Sequence, residues 1–402
     1  MNIIWIYRNQ IASLAFTILI LANALQLHAA DPAILKTEFI FETAPFKSCH
    51  ASTIVESTGG LVAAWFGGTR EGASDVGIWL SRLENGSWSA PVQVASGADA
   101  DGKPLPCWNP VLFQPVGKDL LLFYKVGPSP STWWGKMMSS SDSGKTWSPQ
   151  RRLPEGILGP IKDKPVALSD GTLLCGSSTE GPDGWRIHIE RTMDLGKTWL
   201  ATPPLNDGRR IGAIQPTILV HHDPDSIQIL CRTRQGRIYD AWSKDAGQTW
   251  SAMAPTPLPN PNSGIDAVQL RDGRSLVVYN HTPRGRSPLN LAISEDGKSW
   301  KSGPILETEP GEFSYPAIIQ AADGMVHITY TWKREKVRHV VIDPAVASRG
   351  CDPITEMPRP DRIAGAMKRE NVKRDSHVSR LSPFTSSRFI SNLQIRERCE
   401  TR

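Results

Sequence analysis

Three arginines stand where strand-like runs end or begin. Arg232 closes the apolar run Ile227–Cys231, Arg234 follows two residues later, and Arg286 lies in Arg284-Gly285-Arg286-Ser287-Pro288, just ahead of another run. Successive strand residues alternate faces, so Arg232 and Arg234 share a face if the strand persists, and they compete for one role. A guanidinium offers a planar fork of donors that fits a carboxylate, which points to an acidic ligand. The bland alternative is a surface ion pair of little energetic weight. Arg70 and Asp75, in Gly68-Thr69-Arg70-Glu71-Gly72-Ala73-Ser74-Asp75, set a cation near an acid that can move a proton, against a reading of Asp75 as a loop cap. Tyr315, in Phe313-Ser314-Tyr315-Pro316, offers a phenol nucleophile or an aromatic filler. Asn260, Asn262 and Asp266 form a polar loop that could bond ligand hydroxyls. Trp108, Trp133, Trp134 and Trp185 could stack on sugar rings, with core packing their default use. No glycine-rich phosphate loop, Ser–His–Asp arrangement or HExxH helix stands out. Cys49, Cys107, Cys175, Cys231, Cys351 and Cys399 have no metal-like spacing. Neither a metal nor a cofactor is expected.

The elements that must position these residues are announced by a repeat. Ser140-Ser141-Asp142-Ser143-Gly144-Lys145-Thr146-Trp147 recurs as Thr192–Trp199 and Ser243–Trp250, one residue short as Ser294–Trp300, and in degraded form, without the Asp, as Ser81–Trp88. The Asp bonds nearby backbone N–H groups, the Gly takes positive φ, and the Trp drops into an apolar layer, so the unit is a folding device whose acids are not catalytic. In phase with it, a polar turn precedes an apolar strand six times, before Leu61, Leu120, Thr172, Ile227, Leu276 and Val326. Six units with a period near 50 predict an all-β, six-bladed propeller over residues 31–346. Its last blade would join Val337–Ile342 to the early strand Glu38–Glu42, leaving no ring edge exposed. With 33 Gly, 32 Pro and 14 Trp in 402 residues, the composition favours many short strands over a helical bundle.

The formal net charge of +5 resides in the tail: from Arg349 onward there are 12 basic and 7 acidic residues, and the rest is balanced. The body therefore gives no electrostatic case for a nucleic-acid partner. Residues 347–402 are aperiodic, rich in Arg and Ser, and expected to be disordered. At the other end, Arg8, the apolar run Ile11–Leu25 and Ala29-Ala30 read as a signal peptide over residues 1–30, too short to remain as a membrane span. A secreted or periplasmic monomer with no integral span after cleavage is expected. Cys175 and Cys231 sit in strand-like runs as buried thiols, and any disulfide pairing stays open.

These boxes are the Asp-box, or BNR, repeat, and from about Phe39 to Pro344 the chain resembles the sialidase (neuraminidase) superfamily. That family holds a substrate carboxylate with three arginines, uses an Asp as acid/base, and attacks with a Tyr assisted by a Glu, because a neutral phenol is not repelled by the carboxylate on the anomeric carbon. The resemblance implies Asp75 as the acid/base with Arg70 beside it, Arg232 and Arg286 as two of the three arginines, and Tyr315 as the nucleophile. It implies two departures. His50, in Ser48-Cys49-His50-Ala51, stands where the first arginine belongs and substitutes a group that can titrate; Gln215, in Ile214-Gln215-Pro216-Thr217, stands near the position of the assisting Glu. Either another acid serves, with Asp266 and Glu312 at hand, or the substrate differs. The expectation is an exported, retaining exo-glycosidase for a terminal acidic sugar of a glycan, sialic acid by default. The alternatives are a glycosidase for another acidic sugar and a non-catalytic carbohydrate-binding propeller.

Overall fold

The computed structural model describes residues 31–347 and 352–355. The expected signal peptide, Cys351, Cys399 and residues 356–402 lie outside the described residues. Six antiparallel sheets follow one another along the chain. Blade 1 runs outward through Ser48–Ser57, Gly60–Gly68, Gly77–Glu84 and Val92–Ala95; blade 2 begins at Cys107–Phe113, blade 3 at Val166–Ala167, blade 4 at Ala213–Val220, blade 5 at Asp266–Gln269 and blade 6 at Phe313–Gln320. The second strand of each blade is packed on both faces, so Leu120–Val126 is an unbroken buried run in place of an alternating one. Ring closure occurs as expected, with a different register: Ile34–Phe39 pairs antiparallel with Lys336–Ile342, four residues earlier than the sequence suggested.

Side chains stitch each inner strand to the next. Leu112 N–H donates to Thr53 Oγ1 between blades 2 and 1, and Asn109 Nδ2 to the Ile161 carbonyl ahead of blade 3. Gln215 N–H donates to Ser178 Oγ between blades 4 and 3, Thr217 Oγ1 to Asp266 between blades 4 and 5, Ile318 N–H to Asp266 between blades 6 and 5, and Ser52 Oγ to the Tyr315 carbonyl between blades 1 and 6.

The four boxes that carry the Asp behave as their composition demands. In the third, Ser243 Oγ donates to Asp245 Oδ1 at 2.8 Å, Gly247 N–H donates to Ser243 Oγ at 2.8 Å, and Thr249 gives its N–H and hydroxyl to the two Asp245 oxygens at 2.8 and 2.6 Å. The Thr249 hydrogen bonds hold the Asp245 carboxyl down to about 2. Gly247 takes a φ of 78°. The box also fastens neighbours: Gln228 of blade 4 donates to the Gly297 carbonyl of the blade 5 box at 2.8 Å. The first copy is a correction. Asn85 and Gly86, at φ 51° and 81°, make a two-residue hairpin turn between Gly77–Glu84 and Ser87–Trp88, and the Ser81 hydroxyl, with no Asp to receive it, is buried without a partner.

Residues 352–355, read as tail from the sequence, run along the outer strand of blade 5: Ile354 N–H donates to the Trp300 carbonyl and Ser302 N–H to that of Asp352, both at 2.8 Å. Cys175 and Cys231 are fully buried thiols, and Cys49 and Cys107 are buried and free as well. Among the described residues no cluster of His, Cys, Asp and Glu could hold a metal, and no helix is long and apolar enough to cross a membrane.

Candidate active site

The inner strands are bulged, and the bulges build the site. Register slips between His50 and Thr53, between Ile214 and Thr217, and between Ser314 and Ala317, and blade 2 slips beside Asn109. At each slip one non-glycine residue is left-handed: Ala51 at φ 55°, Asn109 at 38°, Gln215 at 55° and Tyr315 at 51°. A bulge re-aims a side chain and a left-handed non-glycine is strained, and such strain gathers at functional sites. A signal for these positions was present in the sequence and was not read: Asn109, Gln215 and Tyr315 each precede a proline, at 110, 216 and 316.

Gln215 and Tyr315 meet. The Tyr315 hydroxyl accepts from Arg232 Nη1 at 2.8 Å and from Gln215 Nε2 at 3.1 Å. Arg232 Nη1 also reaches Gln215 Oε1 at 3.3 Å, and its Nε donates to Asn262 Oδ1 at 2.8 Å. Arginine can only donate, so the Gln215 carbonyl faces Arg232 and the Gln215 amide faces the phenol. Both neighbours of the phenol oxygen are therefore donors, and neither can take its proton. The Arg286 guanidinium carbon lies 5.8 Å from the centre of the Tyr315 ring.

His50 packs its ring on Tyr315, 4.2 Å between centroids, and bonds Thr331 Oγ1 through Nδ1 at 3.1 Å. The expectation of a titrating group is corrected here. Burial, and then the charges of Arg334, Arg286, Arg232 and Lys162, push the His50 pKa well below the ordinary histidine value, so it is a neutral wall of the pocket at neutral pH.

Arg234 is exposed and stacks 3.8 Å over the centre of Trp185, which Arg232 also faces at 5.4 Å. The two arginines thus share a face, and Arg232 is the one that reaches Tyr315. Of the other tryptophans set apart as sugar platforms, Trp108 is core, bonding the Gly127 carbonyl at 2.8 Å. Asp75 and Arg70 lie on an exposed loop. Asp75 Oδ2 accepts the Thr69 hydroxyl at 2.5 Å and the Thr69 N–H at 2.9 Å, and these bonds lower its pKa. Asp75 therefore caps its own loop in this conformation as an ionised group. Asp266 sits below the site, 1% exposed, with its oxygens engaged by Thr217, Ala267, Lys164 and Ile318. Such saturation makes Asp266 a joint between three inner strands and leaves it no lone pair aimed at a ligand. Asn260 likewise closes its own loop on Ser263.

Two cations escaped the sequence reading. Lys162 is 4% exposed and reaches into the middle of the ring, where Nζ donates to the carbonyls of Ile265 and Pro316 and to Asp163 Oδ1, at 2.5, 2.6 and 2.6 Å. It also lies 5.9 Å from the Tyr315 ring centre. Arg334 enters from the tip of blade 6. Its Nε donates to Glu312 Oε1 at 2.9 Å, the oxygen that also accepts Arg286 Nη1 at 2.7 Å, and its Nη1 pairs with Glu71 on the loop of Asp75. Neither had a recognisable motif, because each gains meaning only from partners far away in sequence.

A family model described as a BNR repeat-like domain matches residues 59–328. A sialidase of Bacteroides fragilis is 24% identical over 219 residues, 48% of this chain and 38% of that protein, so the chain spans well under half the length of that relative. Among solved structures, a Dyadobacter fermentans protein of unknown function superposes with a TM-score of 0.64 at 16% identity, over 77% of this chain and 99% of that one. The NanB sialidase of Streptococcus pneumoniae does so with a TM-score of 0.63 at 13% identity, over 77% and 71%. At such identities the structural likeness establishes the six-bladed fold. The boxes, the ring of six blades and the matched family model together lead to one statement: the chain belongs to the BNR repeat-like domain family, as a sialidase-like β-propeller.

Proposed function

We propose that the protein is an exported, retaining exo-glycosidase acting on a terminal acidic sugar of a glycan, with sialic acid as the first candidate. The observation that carries this reading is a phenol oxygen 2.8 Å from a guanidinium, at a strained bulge beside a second arginine. Arg232 and Arg286 hold the sugar carboxylate, which brings the anomeric carbon over Tyr315. The Tyr315 oxygen attacks that carbon, the bond to the leaving oxygen breaks, and the phenol proton passes to water because Gln215 presents its amide N–H, and not its carbonyl, to the phenol. When the loop closes on substrate and Thr69 releases the carboxyl, Asp75 loses the bonds that keep it ionised, takes a proton from water and passes it to the leaving oxygen. Water then attacks the same carbon, frees the sugar and restores the phenol, so two displacements retain configuration. Arg70 and Arg234 flank the entrance and favour an anionic ligand. Residues 1–30 direct the chain to a secreted or periplasmic location.

The second reading, an acidic-glycan-binding propeller without turnover, is favoured by two features: the assisting carboxylate is an amide, and Asp75 is engaged as a cap. The test is hydrolysis of an aryl α-sialoside beside aryl uronides and aryl glycosides of other acidic keto-sugars. Turnover that disappears in Tyr315→Phe supports the enzyme. Binding of the free acidic sugar with no turnover of any of these supports the binding module, and turnover that survives in Tyr315→Phe removes the nucleophile assignment.

A further inference from the structure

We propose that Arg334 is the third guanidinium of the acidic-sugar pocket, a specificity-determining residue delivered by the hairpin tip of blade 6 where the inner strand of blade 1 presents His50. The proposal rests on the acidic-sugar reading above and assigns the charge that this reading lacks.

Its first ground is position. The Arg334 carbonyl accepts Cys49 N–H at 2.9 Å, which seats the turn against the residue before His50. His50 Nδ1 and Ala51 N–H both meet Thr331 Oγ1, at 3.1 Å each, two residues before the turn's central pair. The side chain then reaches Arg286: Arg334 Nε and Arg286 Nη1 converge on one oxygen of Glu312, and Ser314 Oγ lies 3.2 Å from that oxygen. Arg286 and Arg232 each lie 5.8 Å from the Tyr315 ring centre. The Arg334 and Arg286 side chains are 30% and 24% exposed, so a ligand can reach both.

The second ground is the backbone. Lys333, Arg334 and Glu335 link Trp332 to its partner Lys336, and within this three-residue loop a β-turn is closed by Glu335 N–H on the Trp332 carbonyl at 3.0 Å, with φ of 52° at Lys333 and 59° at Arg334. A turn with two left-handed centres favours Asn-Gly or Gly-Gly, and long side chains there work against the fold. Glycine fills the corresponding need at Gly86. The tip of blade 6 keeps Lys-Arg instead, and the Arg is the one whose side chain turns toward the pocket. Strain retained where a relaxed alternative is available marks a functional demand.

The third ground is charge. His50 is held neutral by burial among these same cations, so blade 1 supplies no positive charge here. Glu71, Arg334, Glu312 and Arg286 form an alternating chain, and one oxygen of Glu312 bridges the two guanidiniums.

The decisive variant is Arg334→Gly, because it removes the guanidinium and relaxes the turn. Titration calorimetry with free N-acetylneuraminate and glucuronate, and with galactose as the neutral control, is run beside thermal unfolding. The expected result is an unchanged or higher Tm together with a ten- to hundredfold weaker affinity for whichever acid the wild type binds, the loss associated with one charge-assisted contact. Arg334→Lys recovers part of that loss, and binding of galactose does not change. A lower Tm with undiminished acid affinity overturns the proposal and leaves Arg334 as a structural ion-pair residue. If the glycine variant fails to fold, the turn argument is overturned, and Arg334→Gln then decides the role of the guanidinium through the same ratio of acid to neutral affinity. A wild type that binds neither acid overturns the acidic-sugar reading itself, an outcome distinct from equal affinity in wild type and variant.

Discussion

The outer turns at Ser143, Leu195 and Ala246 and the inner bulges at Gln215 and Tyr315 use one backbone conformation, with φ between 51° and 59°, for different ends. In the outer turns the strain is repaid locally. Each box Asp receives a hydroxyl and backbone N–H groups from its own eight residues, and little is left over for a ligand. In the inner bulges the side chains find no local partner. Tyr315 finds Gln215 a hundred positions away and Arg232 eighty-three away. The acids that recur most visibly therefore record architecture, and the residues that never recur record the site. A repeat protein hides its chemistry where its repeats disagree.

Four measurements would break or sharpen that contrast. Tyr315→Phe should lower turnover of the preferred aryl glycoside by on the order of a thousandfold or more, with Tm nearly unchanged; a matching loss from a box variant would erase the distinction. Lys162→Met should cost about 3–5 kcal/mol of stability in denaturant unfolding, because it strips Asp163 Oδ1 and the Ile265 and Pro316 carbonyls of their buried donor. A cost near zero would mean that the middle of the ring is better hydrated than its burial indicates. Asp245→Ala should lower Tm by a few degrees and leave kcat and KM in place, since its hydrogen bonds are internal to the turn. Changed kinetics would show that the outer turns do reach the pocket.

The smallest expected effect is on pH dependence. His50 has a folded pKa well below 6.5, so below about pH 6.5 the unfolded chain takes up a proton that the native state refuses. The neutral ring thus contributes stability that is present above that pH and is lost as pH falls. His50→Asn should flatten the acid side of the wild-type Tm profile between about pH 6.5 and 4.5. Parallel profiles for the two proteins would show that the ring accepts its proton in place.

The parts of this molecule legible in the sequence are those whose physics is local. A box needs eight consecutive residues, and a hairpin needs a polar turn ahead of an apolar run, so the six blades and their closure could be read in advance. The closing strand was misplaced by four residues because Ile34–Phe39 and Glu38–Glu42 are both strand-like stretches, and only pairing with Lys336–Ile342 selects between them. Position 81 was read as a worn box because Ser, Gly and Trp were kept, yet without the Asp the chain found an Asn-Gly turn instead. The site was half legible. Arg232, Tyr315 and Gln215 were identified as candidates and do come together. Asp266 was read as a sugar contact because an acid in a polar loop looks available, and only the folded chain shows four groups already bonded to it. Lys162 and Arg334 gave no signal, since a lysine in Ile161-Lys162-Asp163-Lys164 and an arginine in a charged turn are ordinary until distant partners surround them.

The closing strand has a consequence for how the ring comes into being. Its first described strand, Ile34–Phe39, is the outermost strand of its last blade, so five blades can be assembled while this early segment still waits for a partner some three hundred residues downstream. Loop closure over that length carries a slow search, and until it succeeds blade 6 offers an open edge to any other strand in reach. A circularly permuted chain opened in the turn after Val220, with a flexible linker joining residues 31 and 347, would make this pairing a short-range event. It moves the long-range pairing to Ala213–Val220 and Ile227–Thr233, so the edge left open during refolding should shift from blade 6 to blade 4 while the same ring is reached.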